Sequence, residues 1–231
     1  MKYKIQIPFA AIFLLLVAID IIGIAITIPL LHFIAKPLLV PILILLLVST
    51  KTVIPRKNLL LAGLFFSWLG DVFLLFEDSN KLFFIFGLVC FLTTHVFYII
   101  YFLKIASPNI SLLKKQPLLI LLVLGYGFTL VWFLYPHLGD LTIPVMVYAA
   151  VICSMLLCSL HVFLKINMPA NLLYVIGAAF FVLSDSLLAI NKFYKPFTFA
   201  GGLIMLTYCA AQYFIVNGFT KQLPNDKSRI T

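Results

Sequence analysis

Two aspartates stand inside runs of apolar side chains: Asp71 in "SWLGDVFLL" (67–75) and Asp185 in "FFVLSDSLLAI" (180–190). A carboxylate in hydrocarbon costs at least about 3 kcal/mol, so an acid kept there is a candidate functional group. Each lies on a stripe of small residues: Gly63, Ser67 and Gly70 for Asp71, and Gly177, Ala178 and Ser184 for Asp185. Such stripes mark close helix–helix faces, which predicts that both carboxylates point into a bundle. Each is expected five residues before its helix end, roughly 7–8 Å below that boundary. Two inward acids at one depth are suited to holding and handing on protons.

Further polar groups surround them. Gly87, Thr94, His95 and Tyr98 share one helical face; Gly201, Tyr208 and Gln212 share another. Tyr148 falls near the carboxylates in depth and can donate a hydrogen bond. His95 is expected roughly 18 Å below the boundary, deeper than both Asp residues, as a proton relay, an orienting partner or a packing residue. Lys36, in "AKPLL" at an expected helix start, either meets a phosphate or snorkels to the interface. Asp20 is a third acid within a span, with structural and functional readings evenly matched. Glu77, Asp78, Asp140 and Asp226 fit loops or a tail. A lone buried Asp can be a protonated packing residue; two on matching stripes argue for a site.

The elements that position these groups must be membrane helices. The 231 residues are 64% hydrophobic and 10% charged, with a mean hydropathy of +1.19, which leaves too little polar surface for a soluble domain. Apolar runs of about 20 residues recur, each long enough to cross a hydrocarbon core of roughly 30 Å. Loops marked by Pro, Asn and charge predict eight spans near 8–30, 36–50, 57–76, 83–103, 116–135, 142–163, 171–190 and 197–219. The second is short, and is expected to be tilted or partly re-entrant. The fold class is therefore all-α, a polytopic helical bundle forming one integral membrane domain over 1–231. The start, "MKYKIQIPFAAIFLLLVAID", resembles a signal peptide but lacks a small-x-small cleavage site, and reads as the first span.

The net charge of +9 reflects the membrane rather than nucleic acid. Lys2, Lys4, Lys51, Arg56, Lys57, Lys104, Lys114, Lys115, Lys165, Lys221, Lys227 and Arg229 fall on one side of the predicted bundle, and only Lys36, Lys81, Lys192 and Lys195 on the other. The positive-inside rule then predicts cytoplasmic termini, and the Lys- and Ile-rich tails point to a bacterial inner membrane. Cys90, Cys153, Cys158 and Cys209 all lie in apolar runs without metal-like spacing, and read as small buried hydrophobes. A faint repeat pairs Phe66 with Phe180, Asp71 with Asp185, Lys81 with Lys195 and Gly87 with Gly201, which predicts two parallel four-helix halves, 1–115 and 116–231.

In this order, "KPLL" (36–39), "SWLGDVFLL" (67–75), "FGLVCFLTTHVFYI" (86–99), "PVMVY" (144–148), "GAAFFVLSDSLLAINKF" (177–193) and "TYCAAQYFI" (207–215) resemble the YhhN/TMEM86 family of membrane proteins, the lysoplasmalogenases. The resemblance implies hydrolysis of the vinyl ether bond of lysoplasmalogens to a fatty aldehyde and glycerophosphoethanolamine or glycerophosphocholine. Vinyl ethers hydrolyse by acid catalysis. A proton adds to the β-carbon, water attacks the resulting oxocarbenium ion, and the hemiacetal collapses. One protonated acid and one carboxylate divide that work, much as in glycoside hydrolysis. Burial and a second nearby carboxylate both favour a protonated acid. Asp71 and Asp185 are the expected pair, with Ser184, Tyr148, His95, Tyr98, Tyr208 and Gln212 orienting them or the substrate and Lys36 near the phosphate. This chemistry needs no metal or other cofactor, and the partners are the lysophospholipid and the bilayer. A proton-coupled transporter is the rival, since buried Asp pairs suit translocation too. A purely structural or partner-binding membrane protein is the third, and predicts that Asn is tolerated at both Asp positions.

Overall fold

A bilayer offers backbone amides no water, so each apolar run satisfies its own N–H and C=O groups by becoming a helix. The computed structural model describes residues 2–50, 56–106 and 109–222, and these form helices and no strand. The helices are α1 (Lys2–Ala25), α2 (Pro29–Ser49), α3 (Lys57–Leu74), α4 (Lys81–Ile105), the single turn α5 (Leu112–Lys115), α6 (Leu118–Leu138), α7 (Thr142–Val162), α8 (Ala170–Ala189) and α9 (Ala200–Lys221). Lys51, Asp226, Lys227 and Arg229 lie outside the described residues, as do the side chains of Lys2 and Lys4.

α6 and α7 belong to one apolar stretch of 48 residues, Leu118–Lys165. Straight, it would extend about 72 Å, more than twice the hydrocarbon core. It folds back at the 3-10 turn Gly139–Leu141, where Gly139 takes a φ of 51° that few other residues tolerate. Cys153 Sγ then lies 3.8 Å from the Val123 carbonyl, as an antiparallel hairpin requires. The chain is thus an integral, multi-pass helical bundle with eight long helices among the described residues.

The tightest pairs are antiparallel and built on glycine. Thr94 Oγ1 donates to the Gly63 carbonyl at 3.0 Å, and a Cβ on Gly63 would sit 2.4 Å from the Tyr98 ring. On the α8–α9 pair a Cβ on Gly177 would sit 2.7 Å from Ile215. α3 and α8 therefore run toward the distal end, the one carrying the α1–α2, α3–α4, α6–α7 and α8–α9 connections. α4, α7 and α9 run away from it.

The first two spans differ from expectation. The break falls at Ile26–Ile28, where Thr27 adopts a φ of 54°, and Pro29 opens α2 at a position where its missing N–H leaves nothing unsatisfied. α2 then continues through Pro37 and Pro41, so it is a full span of 21 residues and not a short or re-entrant one. Pro41 cannot donate to the Pro37 carbonyl, four residues earlier; Trp68 Nε1, from α3, donates to it instead at 3.0 Å. Lys36 accordingly stands two turns inside α2, buried, and not at a helix start. At the other end of the chain α8 is prolonged by a π-turn, Ile190–Tyr194.

Candidate active site

Side chains on a helix lean toward its N terminus. Asp71 on α3 and Asp185 on α8 therefore lean away from the distal end. Tyr148 on α7, Tyr208 on α9 and His95 on α4 lean toward it. Carboxylates and donors meet because their helices run in opposite directions. This corrects the expected depth of His95, which counts residues along the backbone and ignores where the ring points.

Asp185 meets two polar side chains on one oxygen. Tyr148 Oη donates to Asp185 Oδ2 at 2.6 Å, and His95 Nε2 lies 3.1 Å from the same atom. His95 is fully buried, and its Nδ1 has no hydrogen-bond partner. An Nε2–H imidazole donating to Asp185 leaves that lone pair bare, a penalty of about 1–3 kcal/mol. The Asp185 side chain retains 16% exposure and lines two apolar cavities. One, of about 40 Å³, lies toward the distal end against Leu74, Phe84, Leu88, Phe91 and Phe193. The other, of about 50 Å³, lies between α6, α7 and α8 against Leu130, Ile152, Cys153 and Val182.

Asp71 is sealed, with 1% exposure, at the end of a directional chain of donors. Tyr98 Oη donates to Gln212 Oε1 (2.7 Å), Gln212 Nε2 to Ser67 Oγ (2.6 Å), Ser67 Oγ to Tyr208 Oη (2.7 Å) and Tyr208 Oη to Asp71 Oδ2 (2.6 Å). Lys36 and Asp20 stand within electrostatic range of Asp71. Asp20 is fully buried, and its Oδ1 lies 2.8 Å from His32 Nδ1. The two nests are separated by one aromatic layer: Phe181 packs edge-on to both His95 and Tyr208, and Phe91 packs edge-on to Tyr208 while lining the distal cavity.

Of the orienting residues expected from sequence, Tyr148 and His95 touch Asp185, and Tyr208, Gln212 and Tyr98 belong to the Asp71 chain. Ser184 touches neither carboxylate; its hydroxyl donates to the Ile204 carbonyl and ties α8 to α9. No motif signals His32 or Tyr126, which donates to Ser186 beside Asp185 at 2.8 Å. Asp20 is the one sign of His32, since a buried acid calls for a partner. Among the described residues no group of three or more His, Cys, Asp or Glu could hold a metal ion.

The sequence model of the YhhN family matches residues 31–219. The chain is 34% identical over 165 residues to "Lysoplasmalogenase TMEM86A" of Bos taurus, covering 70% of this chain and 65% of that protein. It is 32% identical over 182 residues to the protein of the same name from Homo sapiens, covering 77% and 72%. It is 32% identical over 142 residues to "Lysoplasmalogenase" of Mycobacterium bovis, covering 59% and 51%. The chain thus spans about half to three quarters of the length of these curated relatives. No solved structure matches it.

Proposed function

The chain belongs to the YhhN family, and from that premise we propose that it is a membrane-embedded hydrolase of lysoplasmalogenase type. Its substrates are 1-alkenyl-glycerophosphoethanolamine or -choline, and its products a fatty aldehyde and the glycerophospho-alcohol. The observation that carries this reading is Asp185: a carboxyl group with both donors on Oδ2 and its other face on apolar cavities within a membrane bundle.

With Tyr148 and His95 holding Oδ2, Oδ1 is the oxygen free to carry a proton into the cavity. It delivers that proton to the vinyl β-carbon. The carboxylate left behind keeps its two hydrogen bonds and faces the oxocarbenium ion, which it stabilises. Water adds to that cation and returns its proton to Asp185, and the hemiacetal collapses to aldehyde and alcohol. Asp71 is the second member of the pair. Shut behind Phe91 and Phe181, it acts through Tyr208 and its field, as a positioning group. The vinyl end of the alkenyl chain enters the small cavity between α6, α7 and α8, which an amphiphile reaches sideways from the bilayer, and the rest of the chain stays among the lipid tails. Both carboxylates stand in the distal half and Asp185 faces apolar cavities, an arrangement that favours hydrolysis over proton-coupled transport. The membrane is a bacterial inner membrane, with the end opposite the distal one in the cytoplasm.

The test is aldehyde release from 1-alkenyl-glycerophosphoethanolamine by the purified protein in maltoside, run in D₂O as well as water. Carbon protonation places one solvent deuteron on the aldehyde α-carbon. Aldehyde carrying that single deuterium is expected; a folded wild-type protein releasing none would remove the reading.

A further inference from the structure

The distal cavity beside Asp185 has a charged rim. The π-turn Ile190–Tyr194 is a rare form frequent at functional sites, and it carries Lys192 over the Phe84 ring, 4.7 Å from its centroid. Lys192 Nζ also lies 3.1 Å from Glu77 Oε2, in the turn between α3 and α4. Phe84 packs edge-on to Phe193, and both rings line the cavity that reaches Asp185. The surface running from Asp185 to the distal end is thus apolar until it meets one cation and one anion side by side. Both are about a third exposed.

The spacing matches a lipid. Seven residues of helix separate Asp185 from Lys192, about 10 Å at 1.5 Å per residue. In a 1-alkenyl glycerophospholipid seven bonds separate the vinyl β-carbon from phosphorus, roughly 9 Å when extended with bonds of about 1.5 Å. Resting on the hydrolase reading above, we propose that Lys192 and Glu77 form the headgroup site for a zwitterionic single-chain phospholipid. Lys192 takes a phosphodiester oxygen and Glu77 the headgroup ammonium. An ion pair this exposed is weak, so it exchanges readily for the two charges of the lipid, while the Lys192 ammonium keeps its place over Phe84. Lys36 is a poorer phosphate ligand, because it is buried within electrostatic range of Asp71.

The experiment measures binding of 1-O-hexadecyl-glycero-3-phosphoethanolamine, whose saturated ether cannot be cleaved by this route, to the full chain in maltoside. Lys192→Gln is expected to weaken binding about fivefold to tenfold. Lys192→Arg retains affinity, and Lys195→Gln on the same segment matches wild type. Glu77→Gln weakens binding of this lipid but strengthens binding of 1-O-hexadecyl-glycero-3-phosphate, which has no amine. Wild-type affinity in Lys192→Gln overturns the site. A shift of both lipids in one direction in Glu77→Gln overturns the role of Glu77. Displacement of the lipid by inorganic phosphate at comparable concentration points to a plain anion site and also overturns the proposal. Aldehyde release from the alkenyl lipid is followed in parallel. Its absence in wild type removes the hydrolase reading, while the binding data decide the headgroup site independently.

Discussion

The two carboxylates differ in what they can touch, and their variants should separate accordingly. Asp185 faces the cavities, so Asp185→Asn removes the proposed proton donor, and kcat is expected to fall about 100-fold or more. Tyr148→Phe and His95→Ala each take one donor from Oδ2 and leave Oδ1 in place. Their losses should be smaller and confined to kcat, since Phe keeps the ring with which Tyr148 lines both cavities, and His95 lines neither. Asp71 accepts from Tyr208 behind the Phe91–Phe181 layer. Asp71→Asn is expected to lower kcat about tenfold with KM unchanged, the scale of loss for a group acting through another. A purely structural Asp71 would instead leave kcat intact and lower only the thermal midpoint. Aldehyde release and thermal unfolding of the four variants, measured side by side, distinguish these cases.

At the scale of elements, the α2–α3 contact rests on an exchange of backbone for side-chain bonding. Pro41 deprives the Pro37 carbonyl of its helical donor, and Trp68 replaces it. Trp68→Phe leaves that part-buried carbonyl unpaired, an expected loss of about 1 kcal/mol. Pro41→Ala restores the helical N–H, so the double variant should be more stable than Trp68→Phe alone; thermal unfolding of both decides it. This contact also marks the limit of what the chain spells out along its length. Polar residues in apolar runs are conspicuous, and so Asp71, Asp185, His95, Tyr148, Tyr208 and Gln212 are all legible from the sequence alone. Prolines read as helix breakers, and nothing in "AKPLLVP" announces a tryptophan 31 residues on that allows the helix to continue. Depth is illegible for a similar reason, because it follows helix direction and side-chain lean more than residue count. Lys192 and Glu77 give no signal at all, since charges are the rule at span ends.

For the whole molecule, orientation decides which leaflet supplies the lipid. Eight long helices return α9 to the end where α1 begins. That end carries Arg56, Lys57, Lys104, Lys114, Lys115, Lys165 and Lys221, whereas the distal end carries Lys81, Lys192 and Lys195. Basic loops stay in the cytoplasm, so the rim formed by Lys192 and Glu77 should open to the outer leaflet of the host membrane. Single cysteines at exposed Ser79, in the α3–α4 turn, and at exposed Lys221 test this directly. With the native protein as control, Ser79→Cys is expected to react with a membrane-impermeant maleimide in intact cells, and Lys221→Cys only after permeabilisation. The opposite labelling pattern would turn the molecule over. The headgroup rim and Asp185 would then serve lysophospholipid from the cytoplasmic leaflet, with the same chemistry approached from the other side.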